Sequence, residues 1–189
     1  MFLFGHLGIG SEIVRPFSRG LPLLWVLVGT LIPDLIDKPI YYGLKWTTGL
    51  AGSELFLVHG TRSFGHTGVF TLLLALLAFI SRSKKLAALS LGSLSHLLLD
   101  AFSFYLPHYL QDEGQLGEVF FAIPILWPLR GWEFPITPYS SLFEQLSQVK
   151  SPLTIIFEAF GACILMMRSK LAMRAMRAMR RLAHIKPNG

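Results

Sequence analysis

Residues Leu91–Leu106 (LGSLSHLLLDAFSFYL) form an apolar run fit to cross a membrane, yet His96 and Asp100 sit inside it, four positions apart. On a helix, positions i and i+4 share a face, with Cβ atoms about 6 Å apart. An ionisable side chain deep in a bilayer costs several kcal/mol unless it faces the protein interior and meets a partner. The pair therefore needs a reason. One is a His–Asp hydrogen bond joining two packed helices. The other is a metal ion, on which an imidazole and a carboxylate at this spacing can converge.

Composition sets the surroundings of this run. Mean hydropathy is +0.53, and 15% of residues are charged, against ~25% in soluble domains. This describes a membrane protein, and 189 residues suit one domain. The single cysteine, Cys163, lies in an apolar segment, which excludes a disulfide framework and a CxxC zinc motif. The N-terminus lacks the early positive charge and the cleavage site of a signal peptide and reads as mature sequence. The net charge of +6 belongs to one tail: seven basic residues and no acidic ones follow from Arg168 onward. Its Ala-Met-Arg repeats across Ala172–Arg180 suit a helix lying on an anionic leaflet. With no aromatic residue to stack on bases, no nucleic-acid partner is expected.

The remaining segments alternate in character. Met1–Val14 is apolar but too short to span, and it carries His6. Leu21–Ile36 reads as a short membrane helix ending in the proline-framed pair Asp34 and Asp37. Ile40–Glu54, with Tyr41, Tyr42, Trp46 and three glycines, reads as an interfacial loop. His59, Arg62, His66 and Thr67 open the apolar helix of about Gly68–Ile80, and the compact basic loop Arg82–Lys85 leads into the helix Leu86–Leu106. Pro107–Lys150, rich in proline and tryptophan, reads as a re-entrant or surface-lying hairpin. Leu153–Met167 is the last apolar helix, and its Glu158 serves helix packing or supports a site. His108 and His184 read as interfacial and tail residues.

Lys and Arg clusters favour the cytoplasmic side. Placing Arg15 and Arg19, Arg82–Lys85 and the tail there sends Asp34, Asp37, His59, His66, His96 and Asp100 to the opposite, non-cytoplasmic side. Three separate stretches thus deliver His and Asp to one depth. With no Cys among them, these ligands suit zinc or a similar divalent ion. Six candidates exceed one tetrahedral zinc and would fill a two-metal centre. Arg62 lies beside them, where a guanidinium takes a phosphate in bidentate fashion. Asp37 is the candidate for orienting the metal-bound water or holding a second ion.

The order of these residues resembles the membrane-bound metal-dependent hydrolase family, whose members include LexA-binding, inner-membrane-associated hydrolases. The matching positions are His6, Pro33-Asp34-Leu35-Ile36-Asp37, Arg62-Ser63-Phe64-Gly65-His66-Thr67, His96-Leu97-Leu98-Leu99-Asp100 and Leu126-Trp127-Pro128-Leu129. Here Thr61 holds the place of the family's usual His before the Arg, and Thr67 that of the usual Ser. The resemblance adds His6 to the metal ligands. Through the family's similarity to zinc-dependent phospholipase C, it implies a phosphoester substrate.

The expected fold is all-α: a polytopic bundle of about four spanning helices, an N-terminal half-helix and a re-entrant or interfacial hairpin. Residues 1–167 would form the membrane-embedded domain and 168–189 a basic cytoplasmic tail, in a bacterial inner membrane. The expected activity is hydrolysis of a phosphoester, lipid-linked for instance, by water on one or two divalent ions at the non-cytoplasmic face. The contrasting expectation is a non-catalytic membrane protein with a structural metal or a partner-binding site. A transporter with a midplane ion site fits less well, because the polar residues cluster at one end. Topology is checked by thiol labelling of intact cells in a chain whose Cys163 has been replaced. A cysteine at Ser83 should resist an impermeant reagent and one at Ser53 should react; the reverse pattern inverts the arrangement.

Overall fold

The computed structural model describes residues 3–50, 54–55, 58, 60–111, 124–129, 131–132, 134, 143 and 152–169, the side chains of 104–111 excepted. All secondary structure among them is helical. A π-helical turn, Gly5–Gly10, runs into the short α1, Ser11–Ile13. Then follow α2 (Leu23–Gly29), α3 (Ile32–Thr48), a 3-10 turn (Phe64–His66), α4 (Gly68–Ser81), α5 (Lys84–Gln111), a second 3-10 turn (Pro124–Leu126) and α6 (Pro152–Arg168).

The long helix α5 is the centrepiece: α2 and α4 pack along it, and the N-terminal turn and α3 touch it. Small residues let the backbones approach. Gly29 of α2 meets Leu89 and Gly92 of α5 so closely that a Cβ on either glycine would strike the facing backbone. This is the small-residue contact of membrane helix pairs. Along the α4–α5 seam, Thr71 and Ser93 share a hydroxyl hydrogen bond of 2.9 Å, and the Ser90 hydroxyl donates to the Thr71 carbonyl. Near the basic turn, Val14, Val26 and Ala88 form a small apolar core flanked by Trp25, over whose ring Lys85 rests.

Among the described residues, one helix is long and apolar enough to cross a membrane, Lys84–Ser103 within α5. The other apolar helices are shorter than the four-span expectation required. α4, with 14 residues, is about 21 Å long and α6, with 17, about 26 Å, against a hydrocarbon core of ~30 Å. The run Leu21–Ile36 is not one helix either. Proline at 33 has no N–H for the Gly29 carbonyl and its ring would clash there, and the chain turns at Thr30 and Leu31 before α3 begins.

Beyond the break, α3 continues through most of the expected interfacial loop, as far as Thr48. It stops where Gly49 adopts φ 73° and its N–H bonds the Lys45 carbonyl. Asp37 and Tyr41, one turn apart, both face inward, whereas Trp46 is 89% exposed. Most of the expected hairpin, and the tail from residue 170, lie outside the described residues.

The Gly29–Gly92 contact carries the α2–α5 pairing. Replacing Gly92 by Ala should lower stability by about 1–3 kcal/mol, the usual cost of overfilling a packed contact. Thermal unfolding of the purified protein in detergent, followed by helical circular dichroism, measures it.

Candidate metal centre

The break between α2 and α3 prepares the centre. It leaves the Thr30 carbonyl facing α5, where it lies 2.7 Å from His96 Nδ1. A carbonyl only accepts, so Nδ1 carries the hydrogen and Nε2 carries the lone pair. His66 is fixed in the same sense by Asp37, whose Oδ2 lies 2.7 Å from its Nδ1. The same carboxylate accepts backbone N–H groups from Ser63 (2.7 Å), Gly65 (2.9 Å) and His66 (3.2 Å). Gly65 is required at that approach, since a Cβ there would meet the Pro33 backbone and Asp37 itself. Thr67 then caps α4 by accepting the Phe70 N–H, the service that Ser gives at the same position.

The outcome is two imidazoles with Nε2 atoms 3.2 Å apart, a spacing that a hydrogen on His66 Nε2 or a shared cation satisfies. Three further groups close in. Asp34 Oδ1 is 3.5 Å from His66 Nε2, and its other oxygen is held by Lys38 at 2.6 Å. Asp100 Oδ2 is 3.8 Å from His66 Nε2 and 3.9 Å from His96 Nε2. His6 stacks on His96 with ring centroids 3.9 Å apart and places Nε2 3.3 Å from Asp100 Oδ1. His6 is fully buried; its Nε2 has this 3.3 Å ion-pair contact, and its Nδ1 has no hydrogen-bond partner among the described residues. A buried ring nitrogen without a partner ordinarily costs ~1–3 kcal/mol.

These spacings fit a cation. Two ligand atoms at 2.0–2.1 Å from a tetrahedral zinc stand about 3.4 Å apart, close to the 3.2–3.9 Å seen here. The potential matches. Burial opposes charging His66, but Asp34 and Asp37, with Asp100 behind them, outweigh it and raise its affinity for a proton above the ordinary. Burial alone would raise the Asp37 carboxyl; His66 and the Gly65 and Ser63 N–H groups overcome it and hold it below the usual carboxylate range.

His6, His96 and Asp100 form one compact group of donors, and Asp34, His66 and His96 form another. They share His96, which has one lone pair to give, because its Nδ1 is committed to Thr30. Arg62 approaches from the less buried side and binds Asp100 Oδ2 at 2.9 Å. Of the residues expected from sequence, His6, Asp34, Asp37, Arg62, His66, His96 and Asp100 come together; His59 lies outside the described residues. Asp37 stands behind His66, with both oxygens occupied by the turn it holds. Sequence reasoning gave no hint of the Thr30 carbonyl or of the 63–66 backbone, which carry no side-chain signature.

Fold and cluster define a helical protein with a buried histidine–aspartate centre on a helix that is long and apolar enough to cross a membrane. The chain belongs to the YdjM inner membrane protein family, which matches residues 1–179. No curated protein and no solved structure matches it.

Removing the Asp37 carboxylate strands three buried N–H groups. Asp37→Ala should therefore unfold more readily than Asp34→Ala by about 2 kcal/mol or more, as read by thermal unfolding at neutral pH. Because the folded carboxyl titrates below its ordinary value, this stabilisation is complete above about pH 4 and lost as pH falls through the folded value. The gap between the two variants should close in acid.

Proposed function

We propose that this protein is an inner-membrane hydrolase that uses one divalent ion, zinc or a close equivalent, to cleave a phosphoester at the non-cytoplasmic face. The observation that carries the metal is the convergence of His66 and His96 Nε2, 3.2 Å apart, with Asp34, Asp100 and His6 on one buried spot, both Nδ1 atoms being engaged from behind. A proton on His66 would also bridge the two nitrogens, and the convergence of His6, Asp34 and Asp100 on the same spot favours the metal. His66, His96, Asp34 and Asp100 would be its ligands, with His6 completing or exchanging into the shell. One ion suffices, since His96 cannot serve two. Asp37 would orient His66 from behind, the arrangement that fixes ring and tautomer in many histidine–metal sites.

The ion would supply a bound water acidic enough to give hydroxide near neutral pH. Arg62 would receive the phosphoryl oxygens. A guanidinium offers five N–H donors, and the contact with Asp100 uses one. Leu129 and Trp132 project from the segment following the second 3-10 turn, which rests on the start of α4 beside the His66 turn, and both are largely exposed. With exposed Trp46 they suit the headgroup layer and an amphiphilic, lipid-linked substrate. On this reading α5 anchors the chain in the bilayer, the shorter α4 and α6 accompany it at partial depth, and the C-terminal tail lies on the cytoplasmic leaflet.

A second reading rests on burial. His6 and His96 are fully enclosed and Asp100 is 6% exposed, and structural zinc sites are the closed ones. A non-catalytic protein with a structural ion would look similar at those residues, though less so at Asp34 and Arg62, the more open side.

Metal analysis of the purified protein and a phosphoester panel on the same sample separate the readings. His96→Ala and Asp100→Ala should each lose bound metal while still inserting. Arg62→Lys should keep its metal yet turn over about tenfold slower or worse, the loss of roughly 1.4 kcal/mol at the transition state. Unchanged metal in both ligand variants removes the centre. A metal-replete wild type inert on every phosphoester favours the structural ion.

A further inference from the structure

His6 reaches the centre from a segment with few anchors of its own. The turn Gly5–Gly10 touches α5 lightly and packs chiefly against α6. α6 contributes no ligand, yet it meets the N-terminal helix at three levels along one face. The Glu158 carboxylate accepts the Phe4 N–H at 2.8 Å and the Gly5 N–H at 3.0 Å. Three residues on, Gly161 lies against Gly8 so closely that a Cβ on either would strike the facing backbone. At the end of α6, Arg168 binds Glu12 at 2.7 Å and the Ser11 hydroxyl at 3.0 Å. The contact order runs upward in both segments, so the two helices are parallel.

The first of these contacts does the most specific work. The opening N–H groups of a helix have no partner within it, and a carboxylate at that end also meets the favourable pole of the helix dipole. Here the acid comes from another helix, 153 and 154 positions away in sequence, and receives the N–H groups of the two residues just before His6. Fixing that turn fixes where the His6 ring emerges. His6 needs such fixing, since among the described residues its ring is held only by stacking on His96 and one 3.3 Å contact with Asp100.

We infer that Glu158, seated against the N-terminal turn with Gly161, is the positioning residue that holds His6 at the metal centre. The inference rests on the metal reading for its consequence, but the seating of His6 can be read without a metal.

The experiment uses the full chain in detergent, with two readouts. In metal-stripped protein, modification of His6 by diethyl pyrocarbonate, followed by mass spectrometry, reports its enclosure. Competition with a chromophoric chelator reports Zn²⁺ affinity. Wild-type His6 should be protected and become modified severalfold faster in Glu158→Ala, whereas Glu158→Gln, which keeps one acceptor oxygen, should restore part of the protection. Gly161→Ala, whose Cβ would strike Phe4 and Gly5, should expose His6 with the carboxylate intact, and it serves if Glu158→Ala fails to fold.

Zn²⁺ affinity should fall by a similar factor in Glu158→Ala and His6→Ala, and the double variant should be no weaker than His6→Ala alone, as residues acting through one another require. Unchanged protection of His6 in both Glu158→Ala and Gly161→Ala overturns the positioning role, and so does full additivity in the double variant. A wild type that binds no Zn²⁺ overturns the metal reading instead, and the modification arm still decides where His6 is held.

Discussion

Two imidazole Nε2 atoms 3.2 Å apart need a proton or a cation between them, and most of this fold sets up that approach. Each ring is locked from behind by an acceptor: the Thr30 carbonyl for His96 and the Asp37 carboxylate for His66. Neither acceptor is incidental. The first is available because Pro33 breaks what would have been one continuous helix. The second is tied down by three N–H groups of the turn it orders. The ring orientations are therefore set by the protein's own hydrogen bonds, with or without an ion. Preorganisation of this kind lowers the cost of assembling a shell from distant elements.

The apolar surroundings sharpen the demand. In water, unpaired imidazoles and neighbouring carboxylates would be solvated at little cost, but here His6, His66 and His96 are nearly or fully enclosed. Every unsatisfied lone pair in such a place weakens the fold, and one divalent ion would answer several at once. With such an ion the centre and the helices would stabilise each other, because an ion bound to the folded state alone adds its binding energy to folding. Glu158 belongs to the same logic from farther out, since it spends a carboxylate on the backbone that carries His6.

The sequence was informative where side chains speak to side chains. α4, α5 and α6 stood out as apolar runs bounded by polar turns, and His66, His96, Asp34 and Asp100 stood out because ionisable groups are costly in such company. It was least informative where a side chain speaks to backbone. Asp37 looked like a ligand or a water-orienting acid; besides the His66 ring it accepts the backbone N–H groups of Ser63, Gly65 and His66, which any residue would supply. Glu158 was open between packing and support for the same reason, as its acceptors meet Phe4 and Gly5 through their backbones alone. The extent of α3 was hidden differently: Pro39, Gly43 and the aromatic cluster resemble an interfacial loop, whereas the burial of Asp37 and Tyr41 on one face keeps the helix intact.

What separates a catalytic ion from a structural one in this arrangement is the asymmetry of the shell. On the closed side stand His6 and His96, stacked and enclosed, with Asp100 reaching between them. On the more open side stand Asp34, tethered by Lys38, and Arg62, bound to Asp100. A shell built only for stability has no need of a guanidinium next to a ligand carboxylate, because its charge competes with the ion for the same oxygen. A shell that must admit an anion would use one: on the hydrolytic reading Arg62 would turn to an incoming phosphoryl group while Asp100 would help hold the ion. The Arg62–Asp100 contact of 2.9 Å is on this view the resting position of a group whose partner changes when substrate binds. It makes the open side of the centre, and not the ion itself, the feature on which the hydrolytic reading turns.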